Sequence, residues 1–222
     1  MDIIDFHSHI LPGLDHGSHS TATSLKQLAL AKNSGVTRIV ATSHFYPQKE
    51  NVDRFISRRK TSYDKLISAA DNNAPQIKLG AEVLICDNIE KMPMLEDLCI
   101  EGTKTLLIEL PFTDISKSHL DSVKNLIRMG FNIVLAHADR YSPDEIEAFI
   151  TVGAKIQLNA DSLDKLLVKK HLIGWIDRGV VVAIGSDIHS DDQTAYKHFV
   201  KAIKKIGTRA EKIAEKSNSI WN

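Results

Sequence analysis

The chain has 222 residues, 43% of them hydrophobic, enough for one full-sized domain with a substantial buried core. Its 28 Lys plus Arg balance its 28 Asp plus Glu, so no overall field recruits nucleic acid or an anionic membrane, and charge recognition must be local. No run of 18 apolar residues and no basic segment leading into an apolar one occurs, which predicts a cytoplasmic protein without membrane insertion, and two isolated cysteines, Cys86 and Cys99, argue against a disulfide framework or a thiolate zinc site.

In chain order, β-branched or apolar runs fall at 2–7, 36–42, 77–84, 104–110, 131–136, 155–159 and 180–185. Each is followed by a segment of helical spacing, which gives seven β/α units. The first helix opens at Ser20 or Thr21 and closes before Gly35, where a left-handed glycine is expected. The polar stretch 47–64 reads as a loop entering a long amphipathic helix, and Ser142-Pro143 opens another with proline near its first turn. No linker, charge block or repeat interrupts the chain, so residues 1–222 read as a single domain. Regular alternation predicts a parallel sheet with right-handed crossovers, either open or closed as a barrel.

Residues that bind metals gather at the ends of these strands. His7 and His9 follow the first, His44 the second, Glu82 and Glu109 end the third and fourth, His137 ends the fifth, and Asp187 with His189 follows the seventh. Asp15, in LPGLDHGS, reaches the same place if Pro12 and Gly13 turn the chain back. In a parallel barrel every C-terminal strand end lies on one mouth, where such folds carry their chemistry. That convergence, more than the common His-x-His spacing, marks a metal site. Imidazole and carboxylate without thiolate suit Mn, Fe, Zn or Co. Nine ligands exceed what one cation needs and fit two or three, and three divalent cations against Asp15, Glu82, Glu109 and Asp187 leave a positive centre suited to an anionic substrate. Arg140, three residues past His137, can pair with phosphate oxygens and is the expected catalytic side chain. His16, His19, His119, His171 and His198 read as solvated or capping residues, and Asn159 either as a hydrogen-bond partner of a ligand or substrate or as a turn former. A cysteine-based phosphatase is excluded, because Met92 and Thr105 stand six residues after Cys86 and Cys99 where an arginine is required.

The segments DFHSHILPGLDHGS, VTRIVATSHFYP, LGAEVLI, LLIELPF, VLAHADRY, IQLNADSL and AIGSDIHS, in this order, resemble the PHP superfamily. Within it they resemble the metal-dependent protein-tyrosine phosphatases of bacterial capsule and exopolysaccharide operons. The resemblance implies a distorted (β/α)7 TIM-like barrel of the PHP type holding three metal ions, with manganese expected. One is bound by His7, His9, Glu82 and Asp187, a second by Glu82, Glu109 and His137, and a third by Asp15, His44 and His189. It further implies hydrolysis of phosphotyrosine in the tail of a membrane-associated bacterial tyrosine kinase that regulates polysaccharide synthesis. The expected mechanism is attack by a metal-bridging hydroxide without a covalent intermediate. The chain departs from the family pattern at His16, Ser43, Ala138 and Asp139, and no arginine follows His189 before Arg209. Two other readings are a phosphatase for a small phosphoester such as histidinol phosphate, with a narrower site, and a catalytically silent binding module.

Overall fold

The strands are continuous apolar runs because both of their faces are covered. The computed structural model describes residues 2–112, 115–190 and 192–222. Among the described residues nine strands form: β1 (Ile3–Ser8), β2 (Val36–Ala41), β3 (His44–Phe45), β4 (Gln76–Leu79), β5 (Glu82–Leu84), β6 (Thr105–Glu109), β7 (Asn132–Leu135), β8 (Lys155–Asn159) and β9 (Val181–Gly185). The helices are α1 (Thr21–Asn33), α2 (Val52–Ala69), α3 (Lys117–Arg128), α4 (Pro143–Thr151), α5 (Ala160–Leu163), α6 (Lys170–Asp177), α7 (Ala195–Ile206) and α8 (Thr208–Trp221). All strand pairs are parallel, in a three-stranded sheet ordered β1-β2-β4 and a six-stranded sheet ordered β3-β5-β6-β7-β8-β9.

The parallel α/β architecture is as expected, but the strands lie in two sheets and do not form one closed ladder among the described residues. The predicted strand 77–84 is two strands, β4 and β5, in different sheets, and a short β3 follows β2. The break falls at Gly80-Ala81, where the Gly80 carbonyl accepts from Arg59 Nη1 at 2.8 Å and a Cβ on Gly80 would stand 3.2 Å from Val40 Cγ1. Backbone bonds from Gly80 N–H to Ala41 O (2.9 Å) and from Glu82 N–H to Ser43 O (3.1 Å) carry the chain across it. At the other side no ladder joins β9 to β1 among the described residues. An isolated Ser8–Ile188 bridge does, with Asp187 N–H donating to His7 O at 2.8 Å.

Alternate strand residues divide between two apolar clusters. Leu106, Ile108, Ile133 and Leu135 join the large one beneath the helices, whereas Leu107 and Val134 join a small one with Ile4, Phe6, Val40 and Val182, so residues of both sheets meet around a common centre. Trp221 of α8 packs into the same small cluster. Burying each such side chain contributes about 1.5–3 kcal/mol, which makes this the mechanical base of whatever the strand ends hold. Glu109, Gln157 and Asn159 lie two residues along from inward positions or on the inward alternation of their strands, and so project above it.

Helix boundaries follow local chemistry. Ser20 caps α1 by accepting from Thr23 N–H, and Gly35 beyond its end takes φ 81°. Ser142 and Glu145 form a reciprocal capping box around Pro143 at the start of α4. Cys86 and Cys99 are both free, Cys99 buried and Cys86 half-buried. No helix among the described residues is long and apolar enough to cross a membrane.

Candidate metal centre

β1, β7 and β9 end in backbone that turns side chains back over the mouth. A register shift between Asp5 and Ser8 lets His7 leave the regular alternation, and His137 (φ 32°) and Asp187 (φ 51°) occupy the left-handed region that non-glycine residues avoid. Such conformations cost about 1–3 kcal/mol each and persist where surrounding contacts impose them.

Four ligand atoms then converge. His7 Nε2 lies 3.1 Å from His9 Nε2, 3.2 Å from Glu82 Oε2 and 3.5 Å from Asp187 Oδ1. His9 Nε2 lies 3.3 Å from the same Glu82 oxygen and 3.4 Å from the same Asp187 oxygen. Separations of this size are those of nitrogen and oxygen atoms that share a divalent transition metal at about 2.0–2.2 Å. Protons cannot satisfy this arrangement, since each imidazole nitrogen carries one proton at most and faces three partners.

The other nitrogen of each histidine is already committed. His7 Nδ1–H donates to Gln157 Oε1 (3.1 Å), and that oxygen also accepts His137 N–H (2.7 Å). Gln157 Nε2 donates to Asn159 Oδ1 (2.8 Å), and Asn159 Nδ2 donates to Asp187 Oδ2 (3.0 Å), so an amide chain runs from His7 to Asp187. It fixes Gln157 with its oxygen toward His7 and leaves the His7 Nε2 lone pair aimed inward. His9 Nδ1 is held by Asp15 Oδ2 at 2.9 Å. His189 Nδ1–H donates to its neighbour's carbonyl, Asp187 O, at 2.9 Å.

Glu82 is the hub. Its Oε1 lies 2.7 Å from His137 Nε2, and its Oε2 lies 2.9 Å from His44 Nδ1. Glu109 completes two further contacts, Oε1 at 3.7 Å from His137 Nε2 and Oε2 at 3.6 Å from His44 Nδ1. Three groups of potential ligands result: His7, His9 and Glu82; His44, Glu82 and Glu109; and His9, His44 and His189. Glu82 Oε2, His44 Nδ1 and His189 Nε2 are buried with no hydrogen-bond partner, which a cation would supply.

The charges suit cations as well. Burial alone would raise the Glu82 carboxyl, but the charge of His7 and the contacts of His137 and His44 hold it well below the ordinary carboxylate range. Asp187 is likewise held low against burial by His7 and His9, and Asp15 by His9 and two backbone N–H groups. Burial and the nearby His9 lower His189 to about 4, so it stays neutral and able to ligate.

All nine sequence-predicted ligands lie at this mouth, and three of them, Asp15, His137 and Asp187, belong to none of the three groups. Asp15 spends Oδ2 on His9 Nδ1 and His44 N–H (3.0 Å) and Oδ1 on Gly17 N–H (2.8 Å). The loop turns so that these donors reach it first. Gly17 permits this, since a Cβ there would stand 2.1 Å from His9 Cβ. Arg140, half-exposed, donates Nη2 to Asp187 Oδ2 at 2.5 Å and stands beside the cluster. His16, read as solvated, is exposed, yet its ring lies 4.8 Å from that of His44 and 4.6 Å from that of His189.

Two residues had escaped the sequence reading. Gln157 is one, and the signal for it was a neutral amide at the inward position of an apolar strand. Asp5 is the other. Fully buried, it accepts from Ser186 N–H (2.8 Å), Ser186 Oγ (2.6 Å) and Tyr196 Oη (2.8 Å), and so ties β1 to the end of β9 and to α7. A carboxylate inside an apolar run must find such donors.

A family model described as capsular polysaccharide synthesis, CpsB/CapC, matches residues 3–219. The chain is 27% identical over 210 residues to tyrosine-protein phosphatase CpsB of Streptococcus pneumoniae, covering 86% of this chain and 84% of that protein. It is 24% identical over 198 residues to tyrosine-protein phosphatase YwqE of Bacillus subtilis, covering 85% and 78%. Among solved structures, one from work on YwqE of Bacillus subtilis and CpsB of Streptococcus pneumoniae, described as metal-dependent tyrosine phosphatases, superposes with a TM-score of 0.80 at 20% identity, over 98% of this chain and 94% of that one. That likeness carries the fold. With the family model spanning nearly every residue, the chain belongs to the CpsB/CapC family of capsular polysaccharide synthesis.

Proposed function

We propose that this chain is a metal-dependent phosphatase that hydrolyses phosphotyrosine in a protein substrate. The observation that carries the reading is the convergence of His7 Nε2, His9 Nε2, Glu82 Oε2 and Asp187 Oδ1 at 3.1–3.5 Å, joined through Glu82 to His44, Glu109 and His137. The relatives named as tyrosine-protein phosphatases support the choice of substrate class.

In this reading residues 1–222 are one domain, a distorted barrel of seven β/α units in which β2 with β3, and β4 with β5, are kinked single staves. His7, His9, Glu82 and Asp187 hold one divalent cation, and Glu82, Glu109 and His137 a second. His44 and His189 would contribute to a third, Asp15 orients the ring of His9, and manganese is the expected metal. When bound, such cations neutralise phosphoryl oxygens and lower the pKa of water toward neutrality. The chain's own residues do the rest. Gln157 and Asp15 fix the ring orientations, and Arg140 pairs with the phosphoryl oxygens beside Asp187. A tyrosyl leaving group, with a pKa of about 10, departs with little help from a proton donor. The substrate is the phosphotyrosine tail of a membrane-associated tyrosine kinase, met in the cytoplasm.

Purified protein, loaded with Mn²⁺ or stripped with EDTA, would be compared on a phosphotyrosine peptide, a phosphoserine peptide and histidinol phosphate. EDTA-sensitive phosphate release from the first is expected. Preference for histidinol phosphate would transfer the assignment to small phosphoesters, and no turnover on any substrate would sink the enzymatic reading.

A further inference from the structure

The large apolar side chains exposed among the described residues are Ile67, Met94, Phe112, Met129, Leu166 and Leu167. Phe112 alone is aromatic, and it alone stands at the metal centre, three residues beyond Glu109 at the end of β6. Its side chain is 66% exposed. Its ring lies 6.2 Å from that of His137 with 14° between planes, and 5.7 Å from that of Tyr141 with 15° between planes. Tyr141 is buried and donates its hydroxyl to Leu110 O at 2.6 Å, so it is a fixed backing against which Phe112 rests. Pro111 restricts the backbone just before it.

A large apolar ring held parallel to a ligand's imidazole and left open to solvent buries little and stabilises the fold little. Its position matters more for what arrives at the cluster. In an aryl phosphate a single oxygen joins the phosphorus to the ring, so a phosphoryl group at Glu82 and Glu109 brings its ring to the immediate rim of the centre. Aromatic pairs attract at centroid separations of 4.5–7 Å, the range Phe112 already keeps with His137 and Tyr141. The other aromatic at the rim, Tyr46, is already engaged, with His44 at 5.1 Å and the Lys49 ammonium 4.3 Å from its ring centre.

We infer that Phe112 is an aryl subsite, a stacking platform for the phenyl ring of the substrate that makes the centre select aryl over alkyl phosphates. This rests on the phosphatase reading above. The contact is absent for a seryl or aliphatic phosphate, so the preference originates in binding as well as in the leaving group.

Non-hydrolysable analogues isolate the effect from chemistry. Benzylphosphonate and ethylphosphonate would be titrated as inhibitors of Mn²⁺-loaded wild type, Phe112→Ala and Phe112→Tyr acting on p-nitrophenyl phosphate, with metal content measured on each. Wild type should bind the benzyl compound about tenfold more tightly, the order expected of one aromatic pair. Phe112→Ala should remove most of that ratio with ethylphosphonate affinity and metal content unchanged, and Phe112→Tyr should retain it. A ratio unaltered in Phe112→Ala, or equal weakening of both analogues, would overturn the subsite while leaving the phosphatase reading intact. Absence of p-nitrophenyl phosphate turnover by metal-loaded wild type would overturn both.

Discussion

Gln157 brings an uncharged amide into a cluster of charges, and its orientation decides which nitrogen of His7 faces the centre. Its oxygen accepts from His7 Nδ1–H at 3.1 Å and from His137 N–H at 2.7 Å, while its nitrogen is spent on Asn159. Gln157→Leu keeps much of the volume and deletes the acceptor, so His7 is free to change tautomer and to rotate. Loss of such an outer partner weakens metal affinity by about 10–100-fold. A metal titration at fixed pH, with circular dichroism to establish the fold, checks this, and unchanged affinity would mean that packing alone holds the ring. Gly185 enforces the same placement from the other side, because a Cβ there would lie 2.5 Å from His7 Cβ and 2.7 Å from Gln157 Nε2. Gly185→Ala should therefore lower both thermal stability, by about 1–3 kcal/mol as overpacked sites do, and metal content. A variant that keeps full metal occupancy would show that β9 can retreat without disturbing His7.

Between elements, the seam of β1 and β9 depends on polar contacts because no ladder closes it. Asp5 supplies them, accepting from Ser186 and Tyr196, and burial raises its carboxyl pKa although each of these bonds acts in the opposite direction. Asp5→Ala leaves those donors buried and unpaired, a loss of about 2–4 kcal/mol. For a chain of this size that lowers Tm by roughly 5–15 °C, and calorimetry of the variant would register it. A shift under 2 °C would mean that the seam reorganises around other acceptors. The same seam marks the limit of what the sequence told. Strand positions were legible because stretches such as VVAIG and TLLIE are buried on both faces, and the gathering of the candidate ligands was legible because a parallel topology places strand ends together. The division of 77–84 was not, since it depends on Val40 and Arg59 meeting Gly80 from distant parts of the chain. The role of Asp15 was half-legible: its place at the mouth follows from the turn, but its engagement with His9 and His44 depends on the loop's final path.

At the scale of the whole molecule, the mouth concentrates Glu82, Glu109 and Asp187 on an apolar base drawn from both sheets, with few donors to balance them except imidazoles. Cations bound there would cross-link β1, β5, β6, β7 and the segment after β9, and so would act on global stability as well as on chemistry. Binding to the folded state alone stabilises it by about 2.7 kcal/mol when free metal is a hundredfold above Kd, which corresponds to a rise in Tm of roughly 5–11 °C for one such site. The EDTA-stripped chain should therefore melt lower than the Mn²⁺-loaded chain, with the difference saturating as Mn²⁺ is restored. Glu82→Gln separates this from a general salt effect. Glu82 touches His7, His9, His44 and His137, so losing its charge removes a ligand from more than one group at once. In that variant the Mn²⁺-dependent rise should collapse and turnover with it, while Arg140→Ala, which leaves the ligand atoms in place, should keep the rise and lose turnover. If Glu82→Gln retained the full Mn²⁺-dependent rise, the cations would be binding elsewhere, and the convergence at the strand ends would have to be explained as a network of buried ion pairs.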